Sequence, residues 1–420
     1  MLIHGRLSRR SPRSLARPTI RIVDVINLAA SAKEMLLNRV RLLHRPPDVE
    51  NWIVCAPPDP ADHRGREQDH IEAFRSAGIP VELAKTPRGA GPAALGRYLI
   101  DLVNVFRRIQ PDIVHTHCSI PGFAGRIAAR LSGVPIVVHT VHGFLFHAGS
   151  GRLHRMCFST AERSLATLTD ILLTENREDR LVIRRWRWPR VRSRFICNGI
   201  DVDRYARFTR LHAGQGRVVA CIARFEPVKN HRDLLRVFAR VHGACPDARL
   251  WLFGDGVLRP ECERLAAELG IASVTDFLGY RDNVDALLEN VDVAALLSWK
   301  EGMSRALLEP MAAGIPAVAW RVKGNRELVR SGQNGFLAEP GDLDETARNI
   351  VHLLRDPDLR RRLGSAAARD VRRRFDETAV VQRLRTVYAS LLIAEGYALP
   401  PQSTLLAHET SGQRHVLASA

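Results

Sequence analysis

The sequence is short of lysine, of acidic residues and of any long apolar run. Of its 62 Lys plus Arg only five are Lys, and they face 45 Asp plus Glu, so the formal net charge over 420 residues is +17. No window approaches the ~20 apolar residues that a spanning helix needs, and the N-terminus has no apolar segment of the signal-peptide kind. A soluble or peripheral protein is expected. The seven cysteines, at 55, 118, 157, 197, 221, 245 and 262, are odd in number and scattered, with no C-x-x-C pair. That pattern argues against a disulfide framework or a zinc knot and for a reducing cytoplasm.

What is present is an ordinary globular composition, 45% apolar and 25% charged, in a chain long enough for two domains with cores of their own. The positive charge is uneven. Residues 1–17 carry five Arg and no acid, 18–197 carry 26 basic against 17 acidic residues, and 198–420 carry 31 against 28. A base composition favouring Arg codons would raise the charge everywhere and does not account for this asymmetry. The alternative is a basic face in the first half that meets phosphates or anionic lipid.

From Pro18 onward, short β-branched runs alternate with longer helical stretches, as in a mostly parallel sheet covered on both faces. Strands are expected at 20–26, 52–55, 81–84, 113–116, 136–140, 171–174 and 194–197, with helices at 32–43, 95–109 and 123–131. After the turn Cys197-Asn-Gly-Ile-Asp201-Val-Asp203 the rhythm restarts. Strands follow at 217–222, 249–253, 274–278, 291–297 and 317–320, and helices at 232–241, 260–269, 284–288 and 305–313. The expectation is α/β: two doubly wound, Rossmann-like domains facing a central cleft, where ligands meet the carboxyl ends of the strands. The boundaries are 18–197 and 198–390, between a basic tail at 1–17 and a polar tail at 391–420, both read as disordered.

The densest chemical signal is Ser298-Trp-Lys-Glu301-Gly302-Met303-Ser304-Arg305, running into Ala-Leu-Leu-Glu309-Pro-Met-Ala-Ala-Gly314-Ile-Pro316. A strand ends near Leu297, Glu301 falls in the loop, Ser304 stands where it can cap a helix, and Glu309 lies more than one turn in. The first-turn amides of such a helix favour an anion. Ala223-Arg224-Phe-Glu-Pro-Val-Lys229-Asn230 follows another strand, so Arg224 and Lys229 can offer two cations across one loop. Asp201 and Asp203 imitate a metal-binding pair, but a hard divalent cation wants more oxygen ligands than that context supplies, and the pair is read as structural.

Two Glu with seven residues between them in this setting, followed by Met-Ala-Ala-Gly-Ile-Pro, resemble the C-terminal signature of retaining glycosyltransferases of the GT-B fold, family GT4. Gly254-Asp255-Gly256 and Phe277-Leu-Gly279 fall in the same order, and Pro111-Asp-Ile-Val-His-Thr-His117 with Val138-His-Thr-Val-His142-Gly143-Phe resembles the N-terminal domain of exopolysaccharide and capsule members. The resemblance spans about residues 18–390. It implies that Glu309 binds the ribose hydroxyls and that Glu301 contacts the donor sugar. It implies further that Gly302, Met303, Ser304 and Arg305 lie near sugar and phosphate, and that His142 stands beside the reacting sugar. Glu301 and His142 are thus the candidate catalytic pair. Arg224 and Lys229 would neutralise the departing diphosphate, and no metal or other cofactor is then required. Base selection would involve the backbone of Gly279–Asp282. No general base is named, because the resemblance implies front-face attack with the leaving phosphate taking the proton.

His115 and His117 share one strand face, with His139 and His147 nearby, but no Cys or acid framework around them is visible for zinc. Where many relatives carry Gly-Gly after the first strand, this chain has Asn27-Leu-Ala-Ala-Ser-Ala32. That segment is read toward the acceptor. The apolar stripe of helix 32–43 either packs on the sheet or enters a membrane surface. In Arg184-Arg185-Trp186-Arg187-Trp188-Pro-Arg190-Val-Arg192-Ser-Arg194, six Arg and two Trp suit an acceptor's charge or an anionic interface.

The sequence therefore points to a retaining, metal-independent hexosyltransferase of the cytoplasm, peripheral on the inner face of the plasma membrane. It would move sugar from a nucleotide-sugar donor to a saccharide, chiefly a lipid-linked one, in exopolysaccharide, capsule or lipopolysaccharide assembly. Two alternatives are a nucleotide-sugar epimerase of the same fold, which needs no acceptor, and a non-catalytic polyanion-binding protein driven by the +17 charge. No motif for specific nucleic-acid reading is present.

Overall fold

The computed structural model describes residues 19–27, 29–58, 66–85, 91–144, 151–207, 217–281 and 284–406. The readings made on 1–17, Leu28, His147, Asp282 and 407–420 lie outside the described residues.

Two wholly parallel sheets organise the chain. The first contains β1 Ile20–Val25, β2 Val49–Cys55, β3 Val81–Leu83, β4 Ile113–His117, β5 Ile136–Val141, β6 Ile171–Thr174 and β7 Arg192–Phe195, in spatial order β3-β2-β1-β4-β5-β6-β7. The second contains β8 Val218–Ile222, β9 Arg249–Phe253, β10 Thr275–Gly279, β11 Val293–Leu296, β12 Ala317–Trp320 and β13 Gly335–Ala338, in order β10-β9-β8-β11-β12-β13. Central strands such as β4 and β5 are buried at every position, which is why they read as unbroken β-branched runs rather than alternations. In each sheet the order reverses once, between β1 and β4 and between β8 and β11. Those reversals open the crevices in which doubly wound sheets bind ligands.

Helix Ala29–Leu43 turns Ala32, Leu36, Val40 and Leu43 into the core. Its stripe is packing surface, which removes the membrane-insertion alternative for this segment.

The expectation for the C-terminus needs correction. The strand–helix series continues past 320 through β13 and the helices Leu343–Arg355, Pro357–Phe375 and Glu377–Ala394. Asp376 caps the last of these by accepting from the amides of Thr378 and Ala379. That helix crosses back to the first domain. Tyr388 meets His115 at 2.7 Å, Arg385 donates to the carbonyl of Leu42 at 2.7 Å, and Glu377 pairs with buried Arg39 at 3.3 Å. Residues 391–406 are no loose tail. Leu391, Leu392 and Leu405 are buried, Tyr397 donates to Asp112 at 2.8 Å, and the Thr404 hydroxyl donates to Asp48 at 2.7 Å. The polar residues of this stretch satisfy carboxylates of the first domain, so low hydrophobicity did not mean disorder.

Candidate active site in the interdomain cleft

On the C-terminal side, β11 ends at Leu296 and the chain loops through Glu301 and Gly302 into helix Arg305–Ala312. Ser304 occupies the N-cap position, but its hydroxyl makes no capping bond and is buried without a hydrogen-bond partner. The expected side-chain cap is therefore absent, and the Ser304 oxygen is not spent on the helix amides. Met303 and Ser304 are both buried. One turn along, Arg305 donates twice to Glu309 Oε1, at 2.9 and 3.2 Å.

The loop after β8 delivers the cations. Lys229 ends a single turn, Pro227–Lys229, and its ammonium donates to Glu301 Oε1 at 2.7 Å. Both members of the pair are largely buried. Arg224 behaves differently: its side chain is exposed and pairs with Glu226 at 2.7 Å. The structure thus brings Lys229 onto Glu301 but leaves Arg224 at the rim. This loop is held against the turn after β9, where the Phe225 amide donates to the Asp255 carbonyl at 3.0 Å. Gly254 sits at φ +115°, and a Cβ there would lie 2.3 Å from the Ala223 carbonyl oxygen. Only glycine allows that approach. Asp201 caps the helix Val202–Ala206 by accepting from the Arg204 amide, and Asp203 pairs with Arg372 at 2.7 Å. The two acids serve different partners, as their structural reading requires.

On the N-terminal side, His142 follows β5 and its backbone meets the Gly302 loop. A Cβ on Gly302 would lie 2.2 Å from the His142 carbonyl oxygen. The His142 ring is held at both nitrogens, by Glu175 Oε1 at 2.6 Å and by His117 Nδ1 at 3.1 Å. His117 in turn meets Asp24 Oδ1 at 3.0 Å. The donor atoms of Asp24, His115 and His117 lie within 4.8 Å of one another, near enough to suggest a cation. Yet His115 is bonded by Tyr388 at 2.7 Å and by Thr140 at 2.6 Å, so every ring nitrogen of His115 and His117 has a protein partner. This is a hydrogen-bonded network rather than a ligand set. Burial lowers the pKa of His115, His117 and His139, most strongly for His115 and His139.

Of the five residues after β6, four reach the second domain at this point. Glu175 supports His142, while the Asn176 amide donates to the Gly302 carbonyl at 3.1 Å. Arg177 faces Glu327 at 3.5 Å, Glu178 takes two bonds from Arg326 at 2.9 and 2.8 Å, and Asp179 pairs with Lys323 at 3.1 Å. Sequence reasoning missed Asp24 and Glu175 altogether. Each is a single acid at a strand, with no local spacing to mark it; the available signal was the pair His115 and His117 pointing at the neighbouring strand β1.

The Arg–Trp run is a surface feature. Arg184, Arg185 and Arg187 are exposed and Trp188 is 61% exposed, whereas Trp186 turns inward onto Phe144 with ring centroids 6.0 Å apart. Of the two tryptophans, only Trp188 is presented to solvent.

Comparison with known proteins gives the same order of segments. The family described as "Glycosyl transferases group 1" matches residues 204–370, and "Glycosyl transferase 4-like domain" matches 30–199. The chain is 30% identical to the UDP-Gal:alpha-D-GlcNAc-diphosphoundecaprenol alpha-1,3-galactosyltransferase of Escherichia coli, over 61% of this chain and 70% of that protein. It is 28% identical to EpsD of Bacillus subtilis, described as a glycosyltransferase, over 74% of this chain and 84% of that protein. Among solved structures, Anabaena HepE in complex with UDP and glucose superposes with a TM-score of 0.74 at 20% identity, covering 88% of this chain and all of that one.

Proposed function

This chain belongs to the glycosyl transferases of group 1, with the GT-B fold, and on that premise we propose that it transfers a sugar, with retention and without a metal, from a uridine nucleotide donor to a lipid-pyrophosphate-linked saccharide. The Gly302 loop carries the proposal, because it touches both halves of the cleft at once: Glu301 holds Lys229 on the C-terminal side and Gly302 lies on the His142 backbone. A donor whose diphosphate meets Lys229 would have its sugar between these two walls. Arg224 at the rim supplies a second cation once it leaves Glu226. With fixed cations at the leaving group, the developing charge needs no divalent ion, and the acids Asp201 and Asp203 are committed elsewhere. Glu309 would take the ribose hydroxyls, and Met303, Ser304 and Arg305 would present backbone to sugar and phosphate. Glu301 is engaged by Lys229, which fits a contact to sugar hydroxyls better than a covalent nucleophile. The leaving phosphate then takes the acceptor's proton.

Differential thermal denaturation with UDP, GDP and ADP, each in EDTA, tests this directly. A nucleotide at about 100 times its Kd stabilises by roughly 2.7 kcal/mol, a shift of several degrees. UDP is expected to give that shift and Lys229→Ala to lose it. Absence of a shift until a divalent ion is added would refute the metal-independent reading. Turnover of the donor to an isomer without any acceptor would favour an epimerase.

The surface beside the cleft fits an anionic membrane. Helix Arg152–Ala166 exposes Leu153 and Met156, at 69% and 62%. Helical spacing puts these two on the same face as Arg163, whose guanidinium donates to the Trp188 carbonyl at 2.8 Å. Arg152, Arg155, Arg184, Arg185, Arg187 and Arg190 are exposed and have no acidic partner among the described residues. No described helix is long and apolar enough to cross a membrane. Docking would therefore be peripheral, with Trp188 at head-group depth. At about 1 kcal/mol per basic residue, replacing Arg184, Arg185 and Arg187 by Ala should weaken flotation on phosphatidylglycerol vesicles about 100-fold. Transfer to a water-soluble acceptor should stay within about twofold. Equal binding to phosphatidylglycerol vesicles before and after the change would remove the membrane from this account.

A further inference from the structure

Beneath the Gly302 loop, three buried groups and the half-buried His142 form one unbroken chain: Asp24 Oδ1 to His117 Nε2 at 3.0 Å, His117 Nδ1 to His142 Nε2 at 3.1 Å, and His142 Nδ1 to Glu175 Oε1 at 2.6 Å. Their side chains are 3%, 0%, 14% and 4% exposed in that order, so water does not complete the bonding. Each of the three bonds needs one proton between its heavy atoms. Two neutral imidazoles supply only two, because each has one N–H donor and one bare nitrogen. The four groups therefore hold a third proton, either on an imidazole or on a carboxyl.

Between the two imidazoles, the surroundings favour His142. Around His117 lie Asp24 from β1, His115 on its own strand, Arg39 from helix Ala29–Leu43, and Glu377 and Tyr388 from helix Glu377–Ala394. Burial, together with the charges of His142 and Arg39, opposes a second proton on His117, although Asp24 favours it. His139 faces Thr116 across the sheet and is also kept neutral by burial. Cys118, the next residue after His117, is kept as a thiol by burial and by Glu175. His142 is the least buried of the four and sits directly on Glu175. On the cleft side, Asn176 and Gly302 are its polar neighbours and neither titrates.

We propose that Asp24, His117 and Glu175 are positioning residues that keep His142 doubly protonated at the floor of the cleft, its ring and backbone fixed beneath Gly302. His142 then donates from both nitrogens and cannot rotate without breaking two charge-assisted bonds. The wall that the donor sugar meets is thereby rigid and charged. The inference rests on the transferase reading for its consequence, but the proton count exists without substrate.

Nitrogen-15 NMR of the full chain labelled at histidine reads the proton count directly. One ring with both nitrogens protonated is expected at pH 7.5, and His142→Gln should remove that signal. Asp24→Asn keeps an acceptor for His117 but removes a negative charge, so the imidazolium is less favoured and should be lost at lower pH. The basic limb of the kcat/KM profile should move with it, and Glu175→Gln should do the same from the other end. Neutral rings throughout at pH 7.5 would overturn the proposal. So would variants whose pH profiles run parallel to the wild type, since a purely structural role scales activity equally at every pH. Should Asp24→Asn fail to fold, Glu175→Gln alone decides between these results. A wild type with the expected NMR signal but no UDP stabilisation would refute the donor reading and leave the proton count standing.

Discussion

Replacing Lys229 by Ala is expected to lower kcat/KM for transfer by two to three orders of magnitude. Two effects add. The first is loss of a fixed cation at the leaving diphosphate; a single preorganised group of this kind is worth ~10²–10³ in rate. The second is that Glu301, only 8% exposed and bonded to Lys229 at 2.7 Å, is left as a carboxylate without its partner. Lys229→Arg should recover part of the rate, since it restores charge but not the compact ammonium that fits Glu301. Glu301→Gln should also be severe, and because the two side chains act as one unit, the double variant should lose far less than the sum of the single losses. Initial rates under subsaturating donor measure this. A Lys229→Ala enzyme within threefold of the wild type would place the diphosphate elsewhere, with Arg224 as the next candidate.

Much of this site was legible because its parts are local. Glu301 and Glu309 fall in loop and helix where the end of β11 and the position of Ser304 require, and Lys229 follows β8 by the expected loop. Burial on both faces of the sheets turned the strands into β-branched runs, so all but β13 were readable. The rest was hidden by distance along the chain. Arg39 and Glu377 are 338 residues apart, and Asp24 and His117 are 93 apart. No periodicity announces either contact. His115 and His117 were rightly placed on one face, but the acid they address stands on a neighbouring strand. Residues 391–406 misled for a related reason: their polarity is matched by Asp48 and Asp112, which only the folded chain brings near. In the stretch 175–179 each acid has a specific partner that only the fold brings near.

The buried histidines predict a steep acid lability. Burial is the first cause that holds His115 and His139 well below the usual imidazole range, and it lowers His231 to about 4. In the unfolded chain each would take a proton near pH 6.5, whereas in the folded chain it stays neutral. Above pH 6.5 neither state is charged and nothing is lost. As pH falls below 6.5 the unfolded state alone gains protons, so stability declines by about 1.4 kcal/mol per pH unit for each ring. Three rings together give roughly 4 kcal/mol per pH unit, against a total stability on the order of 5–15 kcal/mol for a typical protein. For His231 the decline continues until pH reaches about 4, where the folded state also accepts the proton. The melting temperature should therefore fall sharply between pH 6.5 and 5. His231 stacks on Phe225 with ring centroids 4.1 Å apart, so His231→Phe can keep the packing while removing one titrating ring. That variant should lose one ring's share of the slope, about 1.4 kcal/mol per pH unit. A melting temperature that stays level from pH 7.5 to 5, or a His231→Phe protein with an undiminished slope, would show that these rings are not neutral in the fold.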